Sequence, residues 1–525
     1  MKPRLVIVLA SLILPPLAVR SLSAQTFAVE DPVLRLIWRE GMENSHLPRL
    51  AQALLDSIGP RLTGSPGQKA ANDWAVATYT SWGITARNEQ YGTWRGWRRG
   101  ITHVDLIQPR VRSLEATMLA WSPGTGGKRI EGKLLILPEF PDSAAFVSWL
   151  PQAKGMFVLV SFPEPTCRPD SHWERNGTPE SVRRMKVERD STRARWNLRR
   201  RTGVDPIAVR RRLDEAGVLG LLESNWSEGW GVNKIFQART ERAPSIDLSC
   251  EDYGLLFRLA ANGQNPVIRV EAEAEFLGEV PTYNTIAEIP GTEKPNEYVM
   301  LSAHFDSWDA SSGATDNGTG SVTMMEAMRI LKAAYPRPKR TILVGHWSGE
   351  EQGLNGSRAF VADHPDIVQG LQALFNQDNG TGRVVNVSAQ GLMDASAHLA
   401  RWFSRLPSEI TEHIRLEFPG NPGGGGSDYA AFICAGAPAF SLSSTDFDYD
   451  VYTWHTNRDT YDKLVFDDVK NNATLTAMLA YLAAEDPERV PRTRRELFGV
   501  SRFTGRPAAW PQCRDAQRAS PQAGR

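Results

Sequence analysis

The chain has 525 residues, too many for one ordinary domain and ample for a sizeable core, which excludes a disulfide-stapled mini-protein. Its 41% hydrophobic and 23% charged residues are a globular composition. Lys plus Arg and Asp plus Glu number 60 each, so no global field points to nucleic acid or an acidic membrane surface.

The N-terminus reads as an export signal over residues 1–24. Lys2 and Arg4 precede the apolar run "LVIVLASLILPPLAV", and small Ala24 in "SLSAQ" suits the last residue before cleavage. That run is short for a bilayer span and carries Pro15 and Pro16. The mature protein is therefore expected to be periplasmic or extracellular, without a membrane segment. Cys167, Cys250, Cys434 and Cys513 are too scattered for zinc-finger spacing. A Cys167–Cys250 disulfide and separate buried thiols are both open.

Residues 28–125 read as the N-terminal part of the main domain, which resumes at residue 276 after an insertion. "LPRLAQALLDSIGPRLTGSPGQKAANDWAVATYTSWGI" predicts helix, loop, helix, with Gly59, Pro60, Gly64 and Pro66 breaking the first and starting the second. Arg61 in that break is a candidate for the rim of a crevice. "HVDLIQPRV" and "EATMLAWSPG" follow as strand-like runs.

Residues 126–275 change texture to short strand candidates, "GKLLILP", "GMFVLVSF", "AGVLGLLES" and "PVIRVEAEAEF". They predict a compact, mostly-β inserted module. Its basic run within 183–212, "RRMKVERDSTRARWNLRRR", has acids interspersed and no recognition motif around it, so it reads as a solvated helix or protein-facing arm rather than a nucleic-acid patch.

Across residues 276–486 strands and helices alternate: "EYVMLSA", "GSVTMMEAMRILKAAY", "RTILVGHW", a helix near Leu354–Ala362, "LQALFNQ", "APAFSLS" and "LTAMLAYLAA". This predicts an α/β unit with a mainly parallel mixed sheet covered by helices on both faces. The tail from 487 to 525, rich in Arg and Pro and without periodicity, is expected to be mobile.

Chemistry-bearing residues stand where these strands end. His304 follows "EYVMLSA", and Asp306 lies two residues on, near enough to orient an imidazole. Asp316 in "ATDNGTG" stands where a loop becomes a helix, a position that also suits an N-cap. Glu350 and Glu351 follow "RTILVGHW", and adjacent carboxylates after a buried strand are costly unless solvated, paired or bound to a cation. Asp378 follows "LQALFNQ", and "VYTWHTNRDTYD" adds His455. Two histidines and three carboxylates suit a pair of zinc ions with one bridging carboxylate. A carboxylate left over can act as general base on a water, which is metal-assisted hydrolysis.

The segments "AHFDSWDASSGATDNGTG", "GHWSGEEQGLNGS", "NQDNGTG" and "WHTNRDTYD", with "IGPRLTGSPG", resemble the di-zinc exopeptidases of the M28 clan, and within it the secreted carboxypeptidase Q group. The resemblance runs from about Ser45 to Glu485. It implies two Zn2+: His304 and Asp378 on one, Glu351 and His455 on the other, Asp316 bridging. It also implies Glu350 as general base, Asp306 behind His304, a cis peptide at Asp316–Asn317, and a protease-associated domain as the inserted module. Peptides are the implied substrates and a homodimer is compatible with it.

Relatives often carry a tyrosine as transition-state donor upstream of a Ser-Asp-His. Here "NPGGGGSDYAAF" has glycine there, the run Gly423–Gly426, which leaves Tyr429, Tyr449 and Tyr452 as substitutes. Aminopeptidase and carboxypeptidase or dipeptidase action stay open. So do two alternatives, a glutaminyl cyclase-like zinc transferase and a non-catalytic binding module. "NGT" sequons at Asn317 and Asn379 adjoin the implied ligands, so they are unused or export is bacterial.

Overall fold

The computed structural model describes residues 30–199, 206–423, 425–496, 498–499 and 509–521. The expected signal over residues 1–24 lies outside them. A single mixed sheet organises the chain. Its strands are β1 (Thr85–Gln108), β2 (Arg112–Leu114), β3 (Ala116–Met118), β4 (Ile130–Ile136), β5 (Phe157–Leu159), β6 (Gly220–Glu223) and β7 (Ser245–Leu248). They continue with β8 (Val267–Ile289), β9 (Lys294–His304), β10 (Arg340–Trp347), β11 (Leu371–Asn376), β12 (Val384–Ser388), β13 (Arg415–Glu417) and β14 (Ala439–Ser444).

The order is β13-β12-β14-β11-β9-β10-β8, and beyond β8 it continues β4-β5-β6-β7-β3. In the first half β14, β11, β9 and β10 are mutually parallel, β8 runs against β10, and β12 runs against β14 but parallel to β13. Every residue of β10 and β11 is buried, as are residues 299–304 of β9. Strands of a parallel sheet covered on both faces read as continuous apolar runs for that reason. Helices Thr319–Ala334 and Phe466–Glu485 pack on each other and on β9, while Asn355–Asp363 packs on β10. The helix Phe466–Glu485 is buried at every position from Asn471 to Ala484, so it is apolar nearly all round.

The two halves are joined by a ribbon. β1 and β8 pair antiparallel almost end to end, with bulges that bend the ladder. The late part of β8 pairs with β10 and its early part with β4. The inserted module thus hangs from the far end of the ribbon, between Gln108 and Val267.

Two expectations about the module change. It is not mostly β. Helices Ser143–Ala153, Asp170–Asn176, Pro179–Arg199, Pro206–Glu215 and Cys250–Ala261 accompany four short parallel strands, making it an α/β layer with cores of its own. Its sheet also takes in β3, ahead of residue 126. The basic run lies mainly on the helix Pro179–Arg199, where Arg189 and Arg193 pair with Glu164 and Lys186 with Glu174. Local acids therefore answer its charge.

The tail also differs from expectation. Its last described stretch, residues 509–521, is pinned by a Cys434–Cys513 disulfide and by an ion pair from Arg518 to Asp363. Cys167 and Cys250 form a second disulfide. Among the described residues no helix is long and apolar enough to cross a membrane.

Candidate active site

Parallel strands put their carboxyl ends at one edge of the sheet, and the loops leaving that edge build the site. The register sets His304 level with Trp347 on β10, and Ser302 level with Asn376 on β11. His304, the Glu350–Glu351 turn and Asp378 therefore emerge side by side.

His304 Nε2 lies 3.0 Å from Asp378 Oδ1 and 3.3 Å from Asp316 Oδ1. The second carboxylate oxygen of Asp316 is 3.2 Å from His455 Nε2, and Glu351 Oε2 is 2.9 Å from the same nitrogen. The result is two triads, His304–Asp316–Asp378 and Asp316–Glu351–His455, each with its ligand atoms within 4.8 Å of one another and both sharing Asp316. The Asp316–Asn317 peptide is cis.

These charges perturb one another. Burial opposes protonation of His304, but Asp378 and Glu350 outweigh it and hold its pKa well above the ordinary value. His455, also opposed by burial, is pushed up to about 10, chiefly by Glu351 and Asp316. Burial pushes Glu351 up to about 7, with Asp316 adding to it. Burial likewise drives Glu350 well above the usual carboxylate range. Burial works the same way on Asp316, yet hydrogen bonds to His304 and His455 pull it below that range.

The donor set fits cations. Glu351 Oε1 is buried without a hydrogen-bond donor, and the Asp316 oxygens face only the two imidazoles. Four side chains around a shared carboxylate, two of them imidazoles and none a thiolate, suit borderline divalent ions such as zinc.

Asp306 stands behind His304 and also supports the glutamate turn. Its carboxylate is 3.7 Å from His304 Nδ1, whereas its main-chain carbonyl is 2.9 Å away and fixes the ring. The carboxylate instead accepts from the amides of Glu350 (3.2 Å) and Glu351 (3.3 Å) and from the Thr63 hydroxyl (3.1 Å). It holds the glutamate turn in place. Arg61 is not on a rim. It is fully buried and donates to the carbonyls of Gly59, Phe305, Ser312 and Gly313, which sets the course of the loop from Phe305 to Gly313.

Asp459 was not singled out, although it stands in the same run as His455. Its carboxylate accepts from the amides of Thr315 (2.8 Å) and Asp316 (3.0 Å), cradling the shared ligand. Burial pushes its carboxyl up to about 7.

His455 takes its place through the inserted module. Ile235 donates its amide to the His455 carbonyl at 2.8 Å, Trp454 stacks on the imidazole at 4.0 Å, and Phe236 meets it edge-on at 5.3 Å. Asn317 is buried and donates to the Gln377 carbonyl, so its sequon is closed in the fold. Of the three tyrosines, Tyr449 lines a cleft of ≈ 520 Å³ together with Asp316, Glu350, Glu351, Asp378 and His455. Burial, then Asp316 and Asp378, hold its phenol well above the ordinary pKa and therefore protonated. Tyr452 lines a neighbouring pocket, and Tyr429 packs against Gly423.

Comparison with known proteins follows this geometry. The model for peptidase family M28 matches residues 284–480. Carboxypeptidase Q of Homo sapiens is 25% identical over 452 residues, covering 86% of this chain and 88% of that protein. The Xenopus laevis protein of that name is 27% identical over 455 residues, covering 86% and 88%. Among solved structures, the peptidase M28 precursor from Shewanella amazonensis SB2B superposes with a TM-score of 0.63 at 22% identity, covering 87% of this chain and 97% of that one. The zinc aminopeptidase BSAP from Bacillus subtilis gives 0.55 at 17% identity, covering 86% and 97%. The mixed α/β fold is shared with both.

Proposed function

We propose that the chain is a member of peptidase family M28, whose model matches residues 284–480, and an exported di-zinc exopeptidase that hydrolyses the terminal bond of short peptides. The observation that carries the reading is the pair of histidine–carboxylate triads joined through Asp316. Carboxypeptidase Q and zinc aminopeptidase are the names of its relatives and structural neighbours, and both describe metallo-exopeptidases. Two disulfides fit an oxidising compartment.

In this reading His304 and Asp378 hold one ion, Glu351 and His455 the other, and Asp316 spans both. Bound there, the ions supply Lewis-acid polarisation of the scissile carbonyl and a more acidic attacking water. Glu350, beside the site, would accept a proton as a carboxylate once cations were held there. Glu350 takes the proton from the water as the oxygen attacks and returns it to the departing amine. Tyr449, protonated and in the same cleft, donates to the oxyanion. The inserted module, corresponding to a protease-associated domain, walls the site from the His455 side.

The test measures metal content and cleavage on the full chain and on Glu350→Gln. About two zincs per chain in both, cleavage stopped by chelation, and a loss of at least roughly 100-fold in the variant are expected. Two zincs with an active Glu350→Gln would remove Glu350 from its role. One zinc, or none, would overturn the di-zinc reading.

A further inference from the structure

The cleft that holds Glu350 also contains two arginines, Arg358 and Arg514. Arg358 is half-buried on the helix Asn355–Asp363, directly after the glutamate turn, while Arg514 is exposed on the C-terminal tail. Neither guanidinium has a hydrogen-bond or ion-pair partner among the described residues, unlike Arg518, which grips Asp363. Two forks of like charge, with carboxylates in the same cleft but no direct partner, stand at the mouth of the proposed hydrolytic site.

They do not meet by the chance path of a loose tail. Cys513, one residue before Arg514, is bonded to Cys434. Beyond Arg514, the Gln517 amide donates to Asn355 Oδ1 at 2.9 Å, and Arg518 reaches Asp363 Oδ1 and Oδ2 at 2.6 and 2.9 Å. Arg514 is thus fastened on both sides along the helix that carries Arg358. Mutual repulsion makes the pair costly unless an anion joins them. Burial first and Arg514 second lower the pKa of Arg358, with Asp428 and Glu350 acting the other way. A planar fork offers parallel N–H donors that match a carboxylate.

We propose that Arg358 and Arg514 seat the α-carboxylate of a peptide substrate, so that this cleft reads the C-terminal end. The inference rests on the exopeptidase reading above. It makes the disulfide-fastened tail a part of the substrate site, with Arg358 and Arg514 as specificity residues rather than members of the hydrolytic set. An acidic side chain next to the scissile bond offers the same chemistry, and the substrates below separate the two.

The experiment uses the zinc-loaded full chain, Arg358→Gln, Arg514→Gln and the double variant Cys434→Ser, Cys513→Ser. The substrates are an N-blocked dipeptide with a free carboxylate, its C-terminal amide, and amidated dipeptides ending in Glu or Gln. Wild type is expected to favour the acid over the amide by roughly 100-fold in kcat/KM, and each Arg→Gln change to remove roughly 10- to 100-fold on the acid alone, mostly in KM. The double serine variant should shift in the same direction as Arg514→Gln. Equal cleavage of acid and amide by wild type overturns the inference, as does an Arg358→Gln loss that is the same on both. A preference that follows the Glu side chain over Gln in amides assigns the pair to a side chain and overturns it too.

Calorimetric binding of acid and amide to zinc-loaded Glu350→Gln separates the two readings. Arginine-dependent preference for the acid, in a protein whose wild type cleaves nothing, supports the carboxylate seat and sinks the peptidase reading. Cleavage without acid preference in binding does the reverse.

Discussion

The main-chain amide of Ile235 donates to the carbonyl of His455 across 2.8 Å, and so ties a module inserted far upstream to the His455 side of the site. Asn457 strengthens the tie. Its Oδ1 accepts from the Asn233 amide at 2.9 Å and its Nδ2 donates to the Gly231 carbonyl at 3.0 Å. His455 itself sits at φ +59°, a conformation that a side chain adopts only when its surroundings hold it. If the proposed di-zinc reading holds, Asn457→Ala should therefore weaken the hold on one zinc by about 10-fold while leaving the other unchanged. Competition with a chelator, read as zinc released against chelator concentration, checks this; a single release step identical to wild type would show that the module does not position His455.

Asp459 stands behind the shared ligand in the same way. Removing its carboxylate strands two buried amides, those of Thr315 and Asp316. Asp459→Ala should cost about 2–4 kcal/mol of stability and reduce zinc content below that of wild type. Asp459→Asn, which keeps one acceptor, should fall between. Urea unfolding with metal analysis measures both effects, and an Asp459→Ala protein with full zinc and unchanged stability would deny Asp459 its supporting role.

Much of this site was legible because strand ends are visible in the sequence. Runs such as "EYVMLSA" and "RTILVGHW" are apolar throughout, which marks strands buried on both faces. His304, Glu350, Glu351 and Asp378 could be collected from the loops that follow them. What supports them was not. Asp306 and Asp459 spend their carboxylates on main-chain amides, and nothing in a local stretch says which amide a carboxylate faces. Arg61 lies in a Gly/Pro break that looks exposed, yet its four acceptors come from its own break and from a loop some 250 residues away. The tail read as mobile because its composition is that of a disordered segment, while the Cys434–Cys513 pairing that fastens it cannot be deduced from spacing. Apart from the helix of the basic run, the module's helices are hard to tell in the sequence, because its strands are only three to seven residues long and leave short polar connections between them.

Arg61 also gives a clean discrimination between rim and core. A rim arginine would affect substrate affinity and little else. A buried one whose donors reach Gly59, Phe305, Ser312 and Gly313 holds the loop that leads to Asp316. Lysine has three donors on one nitrogen and cannot reproduce the fork. Arg61→Lys is expected to destabilise the protein by about 2–3 kcal/mol, because at least one buried carbonyl loses its donor. Thermal unfolding that matches wild type, together with a raised KM alone, would restore the rim assignment.

His346 supplies a pH prediction that does not depend on the metal site. It is fully buried on β10, with Tyr79 Oη 2.7 Å from its Nε2 and the Phe305 ring centroid 5.0 Å away. No carboxylate faces it, and the Tyr79 phenol stays protonated because burial holds its pKa well above the ordinary value. Burial lowers the His346 pKa from 6.5 to about 3. Since the folded value lies below the unfolded one, the unfolded chain binds this proton first as pH falls. The stability that neutral His346 represents is complete above about pH 6.5 and is lost progressively toward pH 3. Between pH 7 and pH 4 the loss amounts to about 3 kcal/mol. His346→Gln can still accept from Tyr79 but takes up no proton, so its metal-free form should lose about 3 kcal/mol less than metal-free wild type over that interval. Chelating the metal from both proteins keeps the ligands' own titration common to the two. Parallel acid limbs in urea unfolding at pH 7 and pH 4 would mean that His346 is protonated inside the fold.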